Sequence, residues 1–371
     1  MLFSLPDYQD PDFSLPLFKD APDCQTAAVQ QDGVAPDLFH ATSMYPEYFK
    51  IDGQWVLAVE SRMDCCVVPR ENGALDVVEF RNLKKGDRIV IGRTDHAEEG
   101  IFLHNSGFQG AEMLSDKFSF RSGRSRETAF SKDYDSLYHL LYHEKQHGNI
   151  LWVLGPACAF DADSRTAMSK LVLNGYVDGI LAGNALATHD LEASFFGTAL
   201  GQDIYTQTSI PNGHYHNIEL INRVRRSGSI RQFLNETQVE EGVITSCIKK
   251  DIPFVLTGSI RDDGPLPEVY TDAYKGQDAM RALIRKATTV ICLATQLHTI
   301  ATGNMTPSFR VVDGRIRPLY IYSVDISEFA LNKLSDRGSL TATSIVTNVQ
   351  DFVVMVCNGL QKVEGVTFTA P

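Results

Sequence analysis

Apolar and polar positions change rhythm twice along this chain. Between residues 54 and 108 the apolar residues fall in short runs, at 55–59, 63–68, 76–80 and 88–92, each bounded by turn-forming residues. That pattern predicts short strands joined by tight turns, and Lys84-Lys85-Gly86-Asp87 reads as one such turn. The first forty residues are rich in Pro, Asp, Gln and Phe without periodicity, and predict an arm that packs on the body or on a partner subunit. After residue 149 strand-like runs at 150–154, 177–182, 252–257, 289–293, 319–325 and 342–347 alternate with segments of helical spacing. Those helices are expected at 165–174, 189–200, 217–226, 240–250, 277–286, 328–334 and 349–360, with a further one at 134–147. Such alternation predicts a parallel sheet covered on both faces. The basic stretch 118–128, with Arg121, Arg124 and Arg126, reads as the connection. The expected organisation is an α/β chain: a β-rich N-terminal domain with an irregular arm over 1–125, then a parallel-sheet catalytic domain over 126–371.

Composition narrows the function. The 371 residues are 43% hydrophobic and 22% charged, the profile of a soluble globular protein with a sizeable core, and a net charge of −12 argues against nucleic-acid or membrane-surface partners. The seven cysteines form no C-x-x-C pair, Cys247, Cys292 and Cys357 read as small core residues, and no signal peptide stands at the start. The expected location is cytoplasmic.

The chemistry concentrates where strands end. The run 252–257 leads into Gly258-Ser259-Ile260-Arg261-Asp262-Asp263-Gly264-Pro265-Leu266-Pro267, a loop with paired carboxylates and an arginine at the carboxyl end of a strand, where α/β sheets bind ligands. Gly155-Pro156-Ala157, Gly183-Asn184-Ala185 and the stretch 295–307 are similar turns, able to present backbone N–H groups to a nucleotide or simply to close the chain. No G-x-G-x-x-G, Walker loop, G-x-S-x-G or H-E-x-x-H is present. Asp325 closes a strand and suits either a ribose contact or a helix cap. His298 precedes what reads as a Gly303-Asn304 turn and is a candidate catalytic group; His189 is a similar case, and Asp190 reads as a helix-start charge. His214 and His216 make an incomplete metal shell, so no metal is expected. Arg223, Arg225, Arg226 and Arg231 can bind a carboxylate or phosphate or line a solvated helix face.

Taken together, Gly155-Pro156-Ala157, the segment 175–187, His189-Asp190-Leu191-Glu192, the segment 225–230, the decapeptide 258–267, the segment 297–305 and Val324-Asp325-Ile326 resemble the archaeal-type ornithine cyclodeaminases. That family shares the region named after lysine-oxoglutarate reductase/saccharopine dehydrogenase, and the region also forms the C-terminal part of bifunctional arginine dihydrolase/ornithine cyclodeaminases. The resemblance covers 150–359 strongly and reaches Met63-Asp64 and 84–87 more weakly. It implies a Rossmann-like domain of the deoxyhypusine-synthase type, bound NAD, a homo-oligomer, and conversion of ornithine or a related diamino acid to a cyclic imino acid with loss of ammonia. The implied catalytic residues are Asp262, Asp263 and His298. Asp64, Arg261 and Arg226 would bind substrate. Gly155, Pro156, Ala157, Gly183, Asn184, Ala185, Gly258, Ser259, Thr302, Gly303, Asn304 and Asp325 would bind the cofactor. The run 158–163 departs from the family, and Asp161 and Asp163 there would repel a pyrophosphate. Two further readings are a net NAD(P)-dependent amino or imino acid dehydrogenase of opine type and a non-catalytic nucleotide-binding regulator.

Overall fold

The computed structural model describes residues 3–108, 131–327 and 342–371. The expected connection at 118–128, with the boundary after residue 125, and the expected helix at 328–334 lie outside the described residues.

Six parallel strands form the main sheet: β1 (Ile150–Leu154), β2 (Gly179–Gly183), β3 (Phe254–Thr257), β4 (Thr289–Leu293), β5 (Tyr320–Asp325) and β6 (Ala342–Val346). Their spatial order is β3-β2-β1-β4-β5-β6, so the winding reverses between β1 and β4, as in the Rossmann arrangement. All five residues of β1 and of β4 are buried, because helices cover both faces. Successive side chains point to opposite layers: Ile150, Trp152 and Leu154 join one core, Leu151 and Val153 the other. The first core takes in Met168 and Leu171 of α2 (Ala162–Leu173) and Phe352, Val353 and Val356 of α9 (Val349–Glu364). The second takes in Met280 and Ile284 of α7 (Ala273–Ile284) and Met305 of α8 (Gln296–Met305). Other helices among the described residues after residue 130 are α1 (Ser131–His147), α3 (Asn184–Phe196), α4 (His216–Ser227), α5 (Ile230–Thr237) and α6 (Val243–Lys249), and the arm holds a short helical turn at Pro16–Lys19.

Three sequence expectations change here. The helix expected from residue 189 begins at Asn184, since its N-cap is Gly183, which gives no side-chain capping signal. Gly303 and Asn304 do not form a turn; they lie in the last turn of α8, about 10 Å along the helix from its first residue. Asp190 serves the start of a different helix from its own. Its fully buried carboxylate accepts from Arg165 Nε (2.7 Å) and from the amides of Val243 (3.0 Å) and Ile244 (2.8 Å), the first turn of α6. Asp161 also works as a cap, accepting from the amides of Asp163 and Ser164 at the start of α2.

The N-terminal part is strand-rich, with a three-stranded antiparallel sheet of Gln54–Leu57, Glu47–Ile51 and Ile101–Leu103. The irregular arm packs on this body. Gln25–Ala28 pairs with Arg88–Ile91, and Lys50 Nζ donates to the carbonyls of Phe18, Lys19 and Ala21. Ion pairs join the two parts: Glu79, itself paired with Arg62, receives Arg281, Arg81 reaches Asp278, and Glu60 meets Arg285 (3.2 Å).

Replacing Asp190 with alanine leaves Arg165 buried with only the half-exposed Glu241 (3.6 Å) as a charge partner, and α6 without its cap. The expected loss is about 3–5 kcal/mol of unfolding free energy, measured by denaturant titration. A loss below about 1 kcal/mol would show that the pair does not hold α3 and α6 together.

Candidate functional site

The carboxyl edge of the sheet is packed too tightly for side chains at its switch point. The Gly155 amide donates to Leu293 O (2.7 Å), and a Cβ at Gly155 would run into the Ala294 carbonyl. Ala294, in a left-handed conformation (φ 48°), donates its amide to Val324 O (3.0 Å), so the ends of β1, β4 and β5 are tied in series.

Helix starts differ in how their amides are met; α6 is served by Asp190, and α4 has no side-chain cap. The N-termini of α2, α5, α7 and α9 are closed by the side chains of Asp161, Ser229, Asp272 and Asn348. The N-termini of α3 and α8, which follow β2 and β4 directly, carry no side-chain cap, and neither does the short turn of Pro156–Ala159 after β1. Backbone donors at the carboxyl edge are therefore left for a ligand, and an anion is the partner that the dipole favours.

His298, in the first turn of α8, bridges strand ends. Its Nδ1 meets Thr295 Oγ1 (2.9 Å) and its Nε2 meets Thr257 Oγ1 (2.8 Å) at the end of β3. The ring also lies against Gly183, where a Cβ would come within 3.1 Å of it. Burial pulls the His298 pKa below the usual histidine range, favouring the neutral imidazole.

Beside this edge lies a cavity of about 460 Å³, within the range of small-molecule sites. One wall is α3 and α4, with Asn184, Ala185, His189, Ile221 and Arg225; the other is the decapeptide, with Arg261, Asp262, Asp263 and Gly264. Asn184 fastens the two walls. Its Nδ2 donates to Asp262 Oδ1 (3.4 Å) and its Oδ1 accepts from the Leu266 amide (3.0 Å). Asp262 also accepts from the Ser259 amide (2.7 Å), closing the loop on itself. A Cβ at Gly264 would lie 2.9 Å from Arg225 Nη1, so a glycine there lets the guanidinium approach the loop. No ion pair of Arg225, Arg261 or Asp263 exists among the described residues.

Of the residues singled out in the sequence, Asn184, Ala185, Arg261, Asp262 and Asp263 thus share one cavity, with Gly183 and His298 next to them. Arg226 is exposed and outside the lining, where its neighbour Arg225 takes the place. Arg223 pairs with Glu219 and Arg231 with Asp251, so the basic group is split between two helices. Asp64 is exposed, in a left-handed turn (φ 64°), and is not in the lining. Thr302, Gly303 and Asn304 stand toward the far end of α8, and the Asp325 carboxylate accepts from the Ser327 amide (3.0 Å). His216, weighed as a metal ligand, stacks on Phe196 and meets Thr198 Oγ1 (2.8 Å). The sequence alone did not single out Arg225 over Arg226 or connect His189 with Glu192; the three-residue spacing of the second pair on one helix was the available signal.

The chain is similar to known proteins over most of its length. A family model described as "Arginine dihydrolase ArgZ-like, C-terminal, Rossmann fold" matches residues 138–356, and the model for the first region of the same C-terminal part matches 46–122. An ornithine cyclodeaminase of Methanocaldococcus jannaschii is 37% identical, over 90% of this chain and 77% of its own length. A bifunctional arginine dihydrolase/ornithine cyclodeaminase of Synechocystis is 34% identical, over 92% of this chain and 47% of its own. Among solved structures, a LOR/SDH protein from Methanococcus maripaludis superposes with a TM-score of 0.83 at 33% identity, covering 92% of this chain and 99% of that one. The ternary complex of AgrE with ornithine and NAD+ superposes with a TM-score of 0.59 at 31% identity, covering 95% of this chain and 47% of that one.

The half-buried His298 yields a pH prediction. Its folded pKa lies below the unfolded value, so between the two the unfolded chain binds more protons and stability falls as pH falls. The loss of stability between about pH 7.5 and pH 5.5 should be larger in the native protein than in His298→Gln, as read from paired denaturation curves. Equal losses would contradict the burial of a neutral ring.

Proposed function

The chain belongs to the archaeal-type ornithine cyclodeaminase family, whose region it shares with the ArgZ-like C-terminal part, and from that premise we propose that it is an NAD-dependent ornithine cyclodeaminase forming proline and ammonia. The observation that carries this reading is the cavity itself: two arginines and an aspartate without ion-pair partners among the described residues, beside a helix N-terminus without a side-chain cap. Such a donor set matches an amino acid that carries both a carboxylate and a side-chain ammonium. The AgrE complex with ornithine and NAD+ supports the same pairing of ligands.

The residues present fit the cofactor. Gly183, Asn184 and Ala185 offer free backbone donors, and Gly155-Pro156-Ala157 supply a close-packed turn at the switch point. Gly258 and Ser259 follow β3 and Asp325 ends β5, on opposite sides of the switch point along the carboxyl edge; they complete the proposed cofactor set, to which Thr302, Gly303 and Asn304 of α8 belong in the same reading. A bound nicotinamide supplies hydride acceptance at the substrate α-carbon and hydride return to the cyclic imine, without net redox. Arg225 and Arg261 hold the substrate carboxylate, with Arg226 behind Arg225 on the same helix. Asp263 and Asp262 hold the side-chain ammonium, and Asp64 adds to them only by moving in from the N-terminal part. His298, kept neutral between Thr295 and Thr257, would take a proton only by giving up one of those hydroxyl contacts. Closing the cavity with substrate keeps water from the imine.

A homo-oligomer in the cytoplasm completes the proposal. Exposed Ile260, Leu297 and Ile326 near the carboxyl edge support the first, and seven unpaired cysteines support the second. No helix among the described residues is long and apolar enough to cross a membrane.

Native mass spectrometry should find NAD carried through purification, and ornithine should yield proline without added oxidant or steady-state change in nicotinamide absorbance. Protein without nucleotide and inert to ornithine would overturn the proposal, and a steady absorbance change would favour the net dehydrogenase. Arg225→Ala should raise KM for ornithine about 10–100-fold, the loss of one charged hydrogen-bonding partner.

A further inference from the structure

Within the same cavity, and resting on the ornithine reading above, we propose that His189 is a second catalytic residue, a proton carrier for the substrate amines, held in its working tautomer by Glu192. Both lie on α3 three residues apart, and His189 Nδ1 meets Glu192 Oε2 at 2.9 Å.

Glu192 is fully buried and surrounded by donors. Its Oε1 accepts from Thr198 Oγ1 (2.9 Å) and the Gly201 amide (3.1 Å), and its Oε2 accepts from the Leu200 amide (3.3 Å). A carboxylate so placed acts as an acceptor toward the ring as well, which puts the histidine proton on Nδ1 and leaves the Nε2 lone pair free. Nε2 has no protein partner among the described residues, and His189 lines the cavity with Asp262, Asp263 and Arg225. The ring is further fixed by Phe160, edge-on at 5.5 Å between centroids. His298 differs: both of its ring nitrogens are engaged by threonines, and it is not in the cavity lining.

The proposed reaction needs a carrier of this kind. The side-chain ammonium must lose a proton before its nitrogen can attack the imine carbon. That N–H bond breaks, its electron pair stays on nitrogen, and the proton bonds to His189 Nε2. Attack pushes the imine π pair onto the α-nitrogen; His189 passes its proton to that nitrogen and takes one from the new ring nitrogen. Ammonia then leaves with the carbon–nitrogen pair as the ring nitrogen's lone pair forms the cyclic imine, and the departing ammonia takes the proton from Nε2 and leaves as ammonium. His189 ends as it began, and Glu192 stabilises the cationic ring in between. The charged and titratable groups around the ring are Glu192 on its own helix, Arg225 on α4, and Arg261, Asp262 and Asp263 on the decapeptide. His216 reaches Glu192 only through Thr198.

The test uses the full-length, NAD-loaded protein. His189→Gln should lower kcat by about 10²–10⁴-fold with KM, bound NAD and Tm nearly unchanged. Glu192→Gln should lower kcat at least about tenfold and displace the acid limb of the pH profile, which a purely structural change would not do. Independently of turnover, nitrogen-15 histidine spectra of the substrate-free protein should show one ring protonated at Nδ1 whose signals vanish in His189→Gln. That same ring should change tautomer or exchange in Glu192→Gln; should Glu192→Gln fail to fold, the native protein and His189→Gln carry the test. A ring protonated at Nε2, or a folded His189→Gln with native kcat, overturns the proposal. A native protein inert to ornithine refutes the substrate reading instead, and the spectra still decide the His189–Glu192 pair.

Discussion

The Asn184 carboxamide donates to the Asp262 carboxylate and accepts from the Leu266 amide, and through these two bonds the start of α3 is tied to both halves of the decapeptide. The cavity exists because of that clamp. Asn184 immediately follows β2, while the decapeptide follows β3, and the parallel pairing of these strands (Thr257 opposite Gly183) sets the two side by side. The sheet register thus determines which loop the amide can reach. The amide in turn sets where Asp263, Arg261 and the Gly264 backbone stand relative to Arg225.

Electrostatics and packing divide the labour at this edge. Carboxylates that cap helices or pair with arginine, such as Asp161 and Asp190, are saturated by their neighbours and hold the scaffold. Arg225, Arg261 and Asp263 make no such bonds among the described residues; exposed to solvent at the cavity, they are left free to meet a zwitterion. The same contrast appears among the helix starts: the side-chain-capped ones lie away from the cavity, and α3 opens at it without a cap. Functional sites commonly break local rules that the rest of a fold obeys.

Much of this was legible beforehand. The strand-like runs located all six strands of the main sheet; the central ones, buried on both faces, read as continuous apolar runs. The decapeptide announced itself by composition, since paired acids, an arginine, glycines and prolines have no reason to follow a buried strand unless the loop is used. Element starts were less legible. Gly183 caps α3 without a polar side chain, so the helix seemed to begin at residue 189, and the Gly303-Asn304 pair looked like a turn although tertiary contacts keep it helical.

What the linear chain determined by itself, then, was the alternation of strands and helices, the family pattern and the set of residue types able to do the chemistry, because each follows from local periodicity and from side-chain chemistry. The tertiary structure alone decided which of two adjacent arginines enters the cavity, that Asp190 serves a helix more than fifty residues away, and that His189 is joined to a buried Glu192. Those choices depend on helix rotation, strand order and loop closure, and each is set by packing between segments that are distant in sequence.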